Sequence, residues 1–285
     1  MTDPSDIQRY AAFTTDPEGG NPAGIVLDAS AMADSELQSI AADVGYAETA
    51  FVVQLTIHGD QRHLRLRFFS PVAEVPFCGH ATIATAAVLA QRNGPGPFTF
   101  ETPVGPISIQ TTVADGLLHA AFTSPPPQVA EFAHGVLAEL LELLGVTEGD
   151  LDPRYPPMVA CAGNWHPILV FAVRDTFDRF TFDPRAVRNL MDAQKWPATV
   201  TTAFAISSVE FETRNIFPVG KIVEDPATGS AAASLGGYLR LLKLVTAPAR
   251  VIVHQGRHVR RASLLTVDIP ASGGMVVSGT AVQIK

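Results

Sequence analysis

Apolar residues fall into short runs set between glycine and proline, the pattern of many strands joined by tight turns. Strands are expected at 48–53, 98–102, 107–112 and 117–122, and later at 200–207, 251–254, 264–269 and 276–284. Extended segments at 64–69 and 211–217 each end near a proline, Pro71 and Pro218. Helical stretches are fewer. Ser35-Glu36-Leu37-Gln38 reads as a capping box opening a helix to about Val44. Another helix is expected over 132–144, and Asp183-Pro184 supplies an N-cap followed by proline at the first helical position. Two more, over 81–91 and 231–242, are rich in Ala, Ser and Gly and poor in charge. Such helices are expected to be buried on most sides, each wrapped by its own sheet. Pro125-Pro126-Pro127 is the natural hinge, because three prolines can neither continue a central strand nor enter a helix interior. Helices embedded among many short strands argue for two α+β halves.

The chain also echoes itself. Glu74-Val75-Pro76-Phe77-Cys78-Gly79-His80-Ala81 and Glu224-Asp225-Pro226-Ala227-Thr228-Gly229-Ser230-Ala231 share Glu, Pro, Gly and Ala at the same relative places, 150 residues apart. Each precedes one of the two charge-poor helices. Upstream, Gly20-Asn21 precedes Ile25-Val26-Leu27 as Gly163-Asn164 precedes Ile168-Leu169-Val170, at an offset of 143. Two matches in the same order at nearly the same offset point to an internal duplication.

Composition narrows the function. The 285 residues are 47% apolar and carry a formal net charge of −8, with no lysine- or arginine-rich run. A phosphate-backbone partner wants a basic stripe, so nucleic acid is not expected. No apolar stretch approaches the roughly 20 residues that span a bilayer, so no membrane partner is expected. The acidic start, Met1-Thr2-Asp3-Pro4-Ser5-Asp6, is unlike a signal peptide. The two cysteines, Cys78 and Cys161, lie far apart with no CxxC pair, so the expectation is a reducing cytoplasm.

The duplicated turns are the strongest lead to chemistry. A glycine just before a helix leaves backbone N–H groups unblocked where the helix carries partial positive charge, an anion site made without Lys or Arg. If pseudo-symmetry turns the halves toward each other, Gly79-His80 and Gly229-Ser230 point into one cleft and suit a substrate carboxylate or a developing enolate oxygen. The plain alternative is that both glycines serve tight turns. The helix dipole at His80 favours the neutral imidazole, as acid–base or hydrogen-bonding work requires; the other seven histidines, such as His58, His63 and His134, have no comparable setting. Asp225 sits in the matching turn, where an aspartate also serves turn formation. Glu48 opens the apolar strand Thr49-Ala50-Phe51-Val52-Val53. Desolvation there raises a carboxyl pKa toward neutrality, whereas a solvated loop glutamate has no such role. No HExxH, paired-His or CxxC spacing indicates a metal, no GxGxxG or P-loop indicates a cofactor, and Gly229-Ser230 lacks the GxSxG elbow of a hydrolase.

Gly20-Asn21-Pro22-Ala23-Gly24, Gly45-Tyr46-Ala47-Glu48-Thr49-Ala50-Phe51, Phe77-Cys78-Gly79-His80-Ala81-Thr82 and Glu224-Asp225-Pro226-Ala227-Thr228-Gly229-Ser230-Ala231 closely resemble motifs of the PhzF-like isomerases. His254-Gln255-Gly256 followed by Arg261-Ala262-Ser263 resembles the family's closing motif. The resemblance implies a diaminopimelate-epimerase-like α+β fold of two pseudo-symmetric halves, each a curled, mostly antiparallel sheet around a central helix, with the active site between them. The halves would be 1–124, joined by a C-terminal strand at about 275–285, and 128–274. It implies a homodimer, no cofactor, and a small carboxylate-bearing substrate. Glu48 would transfer the proton. His80 and Asp225 would bind and polarise the substrate, with Gly79, Gly229 and Ser230 contributing from the helix starts.

Epimerases of this fold oppose two cysteines, one in each repeated turn. Here Cys78 has Thr228 as its counterpart, a poor base, so a two-thiol epimerisation is disfavoured and Cys78 reads as a packing residue. A racemase using Cys78 opposite Glu48 or Asp225, and a binding protein that has lost the chemistry, remain the competing readings.

Overall fold

The computed structural model describes residues 7–219 and 222–284; the acidic segment 1–6 lies outside the described residues. The chain divides into two compact units, Met1–Thr123 with Ser278–Lys285, and Ser124–Val277.

In the first unit β1 (Ile7–Ala12) runs antiparallel to β2 (Asn21–Val26), which is parallel to β3 (Glu48–Gln54). Parallel neighbours need a crossover, and α1 (Asp34–Val44) supplies it. β4 (His63–Phe69) is antiparallel to β3 and to the two-residue β5 (Glu74–Val75). After α2 (Gly79–Asn93) the chain returns as β6 (Gly96–Thr102), parallel to β4, and continues antiparallel through β7 (Gly105–Ala114) and β8 (Leu117–Thr123). Every residue of α2 from His80 to Ala90 is buried, which is why its sequence carries methyl and hydroxyl groups rather than charges.

The second unit opens with β9 (Gln128–Ala130), antiparallel to β10 (Met158–Cys161), itself antiparallel to β11 (Trp165–Phe171). α3 (Val136–Leu143) lies between β9 and β10 in the chain. α4 (Arg174–Arg179) and α5 (Pro184–Ala193) carry the crossover to β12 (Val200–Ser207), parallel to β11. These three helices cover a core of Leu140, Leu169, Phe171, Phe177, Val187, Met191, Val200 and Ile216. β13 (Glu210–Val219) is antiparallel to β12 and to β14 (Ile222–Asp225). Then α6 (Gly229–Leu241) crosses to β15 (Ala249–Gln255), parallel to β13, and β16 (Ser263–Ile269) closes the run antiparallel to β15. Two glycines let α6 lie close to its surroundings. A Cβ at Gly237 would stand 2.3 Å from Cβ of Pro127, and one at Gly236 would stand 2.8 Å from Cγ1 of Val267.

The last strand, β17 (Val276–Gln283), returns the chain to the first unit, where it pairs with β1 and β8. The strands β17, β1, β2, β3, β4, β6, β7 and β8 thus close on themselves, the barrel of the first unit.

Four helix starts differ from the sequence expectation. Ser35 is not the N-cap of α1. The cap is Ala33, whose methyl group cannot accept, so only the reciprocal half of a box forms there, Glu36 at the third helical position accepting from the Ala33 N–H at 2.8 Å. α3 starts at Val136 rather than 132, because Gly135 has φ 80 and cannot continue a right-handed helix backwards. Gly79 and Gly229 are the first helical residues rather than the ones before the helix, leaving Cys78 and Thr228 as N-caps.

Candidate active site

In the first unit the register that pairs Ala23 with Glu48 sets this carboxylate at the start of β3, and the turn after β5 brings Cys78 and His80 to it. Nε2 of His80 stands 3.4 Å from Oε2 of Glu48, with side-chain exposures of 6% and 14%. The Cys78 thiol lies 3.5 Å from the same carboxylate oxygen and 3.3 Å from Nδ1 of His80. The side-chain amide nitrogen of Asn21 is 3.1 Å from Nδ1. With the Asn21 amide nitrogen placed toward the ring as donor, Nδ1 accepts and the ring proton is assigned to Nε2, facing Glu48. Burial lowers the His80 pKa to about 3. The ring is therefore neutral, as expected, with burial as the cause where the sequence reading had invoked the helix dipole.

In the second unit Glu224 and Asp225 are adjacent on β14, and alternation along a strand sends their side chains to opposite faces. Glu224 is held structurally. Arg214 donates to it at 2.6 Å, gives another hydrogen bond to the Phe177 carbonyl at 2.9 Å, and stacks over the Phe180 ring. Asp225 faces the turn instead and accepts from the Thr228 hydroxyl. Gln255 braces that turn: its Oε1 accepts from Thr228 N at 3.1 Å, while its Nε2 donates to Asp225 O at 2.6 Å and Thr228 Oγ1 at 3.0 Å. Ser230, the second residue of α6, places Oγ 3.1 Å from Nε2 of His166, a fully buried ring whose pKa burial lowers to about 4.

Glu48, Gly79 and His80 thus gather at the turn of one unit, with Cys78 beside them, and Asp225, Gly229 and Ser230 at the turn of the other. Sequence reasoning missed Asn21, His166 and Gln255 as parts of these turns. Asn21 and Gln255 lay in quoted motifs, and His166 two residues beyond Gly163-Asn164; the judgement that no other histidine has a setting like that of His80 is corrected by His166. The ligand atoms of Glu48, Cys78 and His80 lie within 4.8 Å of one another, a grouping able in principle to hold a metal. The fit is poor, because Asn21 occupies the Nδ1 lone pair and Nε2 carries the proton. A second grouping, Asp178, Glu212 and His258, is neutralised by Arg174 and Arg257, which pair with both carboxylates.

The chain as a whole is similar to known proteins. The family described as Phenazine biosynthesis-like protein (PhzC-PhzF) matches residues 10–285. The uncharacterized isomerase YddE of Escherichia coli K12 is 31% identical, the match covering 97% of this chain and 95% of that one. The trans-2,3-dihydro-3-hydroxyanthranilate isomerase of Pseudomonas fluorescens is 30% identical over 89% of this chain and 86% of its own. The crystal structure of a PhzF-family phenazine biosynthesis protein from Bacillus anthracis superposes with a TM-score of 0.84 at 29% identity, covering 98% of this chain and 96% of that one. Fold and relatives together define an isomerase of the diaminopimelate-epimerase-like architecture. The chain belongs to the phenazine biosynthesis-like, PhzF, family.

Proposed function

We propose that this isomerase moves a proton between two carbon positions of a small carboxylate-bearing substrate, with Glu48 as the group that removes and returns it. The observation that carries this reading is the Glu48 carboxylate 3.4 Å from a His80 ring held neutral by burial. A neutral imidazole with its proton toward Glu48 does not titrate in competition with the carboxylate near neutral pH. Glu48 takes a C–H proton and leaves a delocalised carbanion; the same carboxyl, its acid proton exchanging with solvent, delivers a proton to another carbon of the delocalised system, so atoms and charge balance without a co-reactant. Asp225 and His80 bind and polarise the substrate. Main-chain N–H groups at Gly79, Gly229 and Ser230 meet its negative charge. The reading uses no cofactor and carries the homodimer expectation with it, which sedimentation tests.

The test is solvent-deuterium incorporation by mass spectrometry across small amino- and hydroxy-carboxylic acids. Uptake in wild type that vanishes in Glu48→Gln supports the assignment; uptake unchanged by the substitution removes Glu48 as the base. A second reading, epimerisation with Cys78 as a base, is favoured by the thiol 3.5 Å from Oε2 of Glu48. Alkylation or Cys78→Ala that abolishes exchange would establish it. Its weak point is Thr228, whose hydroxyl is committed to Asp225 and offers no second thiol.

A further inference from the structure

A chain of four polar side chains in the second unit runs in one direction. Oγ of Ser230 is 3.1 Å from Nε2 of His166. Nδ1 of His166 is 3.0 Å from the main-chain oxygen of Thr199 and 3.0 Å from its Oγ1. The Thr199 hydroxyl donates to Oδ1 of Asn215 at 3.3 Å. His166, Thr199 and Asn215 are all buried.

A carbonyl oxygen only accepts, so Nδ1 must carry a proton. The Thr199 hydroxyl has given its own proton to Asn215 and presents lone pairs to Nδ1 as well. Burial keeps the ring neutral, so it holds one proton and no more. Nε2 is left bare, and the Ser230 hydroxyl satisfies it by pointing its hydrogen inward. His80 is wired the other way: its Nδ1 accepts from Asn21, and its Nε2 holds the proton.

We infer that His166 is a positioning residue that fixes the Ser230 hydroxyl as a hydrogen-bond acceptor, so that the substrate meets Ser230 through an ammonium, hydroxyl or N–H donor and not through a carboxylate oxygen. The inference rests on the proposed function, which puts Ser230 in contact with substrate. The carboxylate is left to main-chain donors. The helix start keeps the anion-binding role expected of its main-chain N–H groups, and the Ser230 side chain adds the opposite polarity.

Protein carrying isotope-labelled histidine, examined by long-range proton–nitrogen correlation at neutral pH, tests the wiring directly. His166→Gln identifies the signals of His166 by their loss. The proton is expected on Nδ1, with Nε2 a bare, hydrogen-bonded acceptor. Ser230→Ala is expected to move the Nε2 resonance toward that of a free imidazole and to leave Nδ1 in place. A proton on Nε2, or an Nε2 signal unmoved by Ser230→Ala, overturns the inference. For any acid that exchanges deuterium, an analogue with its donor replaced by methyl should raise KM about tenfold in wild type and leave KM unchanged in Ser230→Ala. Equal losses in both proteins overturn the ligand assignment. His166→Gln, whose amide oxygen can stand in for Nε2, should retain the discrimination that His166→Leu loses. If no acid exchanges at all, the proposed proton transfer on amino- and hydroxy-acids fails while the tautomer measurement still decides the polarity of Ser230.

Discussion

Nε2 of His80 stands 3.4 Å from Oε2 of Glu48, close enough for the imidazole to orient the carboxylate and too long for a strong hydrogen bond. Replacing Glu48 with Gln keeps the size of the side chain and removes its basicity. Deuterium incorporation into a turned-over substrate is expected to fall by about 10²–10⁴-fold, the range of general acid–base catalysis. Thermal stability should stay close to wild type, because the amide can still accept from Nε2 of His80. A comparable fall in melting temperature would show that the loss came from folding instead.

The two buried imidazoles make stability fall on the acid side. Burial lowers His80 from 6.5 to about 3, and His166 from 6.5 to about 4. Below about pH 6.5 the unfolded chain binds a proton at each ring. The native protein refuses those protons until the lower values, so the unfolded state holds more protons throughout the interval, and stability must rise with pH there. The contribution is complete above about pH 6.5 and is lost as pH falls toward 4. Carboxylates held low by arginine, such as Asp152 beside Arg154, lose their contribution mainly below about pH 4. Melting temperature measured across this range should decline in wild type and decline less steeply in His80→Gln. Equal slopes would contradict the assignment of the native pKa.

Much of this arrangement was legible in the chain. The burial of α2 and α6 followed from their methyl-rich, charge-poor composition, and the two turns from their matching Glu, Pro, Gly and Ala. What stayed hidden depends on contacts distant in sequence. His166 reaches Ser230 across 64 positions and Asn21 reaches His80 across 59, and no local pattern announces either. The separation of Glu224 from Asp225 was hidden for a similar reason. Both are acidic and adjacent, and only Arg214, brought across by the β13–β14 pairing, marks Glu224 as structural. The misplaced cap of α1 has a different origin: Ala33 has no side chain that signals a cap, whereas Ser35 does.

Gly237 offers a test of how closely α6 is held. In an exposed helix interior, Gly→Ala stabilises by about 1 kcal/mol. Here the added Cβ would stand 2.3 Å from Cβ of Pro127, a ring that cannot swing aside. Overpacking costs about 1–3 kcal/mol, so the steric penalty outweighs the propensity gain. Gly237→Ala should lower the denaturant midpoint. A midpoint equal to wild type or higher would mean that Pro127 yields and that the contact does not constrain the helix.

Gln255 gives the last prediction, because it touches the Asp225 turn through three hydrogen bonds and is itself buried. Gln255→Leu keeps much of the volume and removes every one of those bonds. Thr228 N, the Asp225 carbonyl and the Thr228 hydroxyl then compete for other partners, at about 1–3 kcal/mol for each buried group left unsatisfied. Stability should fall, and Asp225 should lose its fixed orientation. The proposed role of Asp225, binding substrate rather than carrying the proton, places the expected defect in KM more than in kcat. Gln255→Glu can still accept from Thr228 N but cannot donate to Asp225 O, so it should restore part of the stability and little of the binding. A defect confined to kcat in Gln255→Leu would instead place Asp225 in the proton-transfer step, beside Glu48.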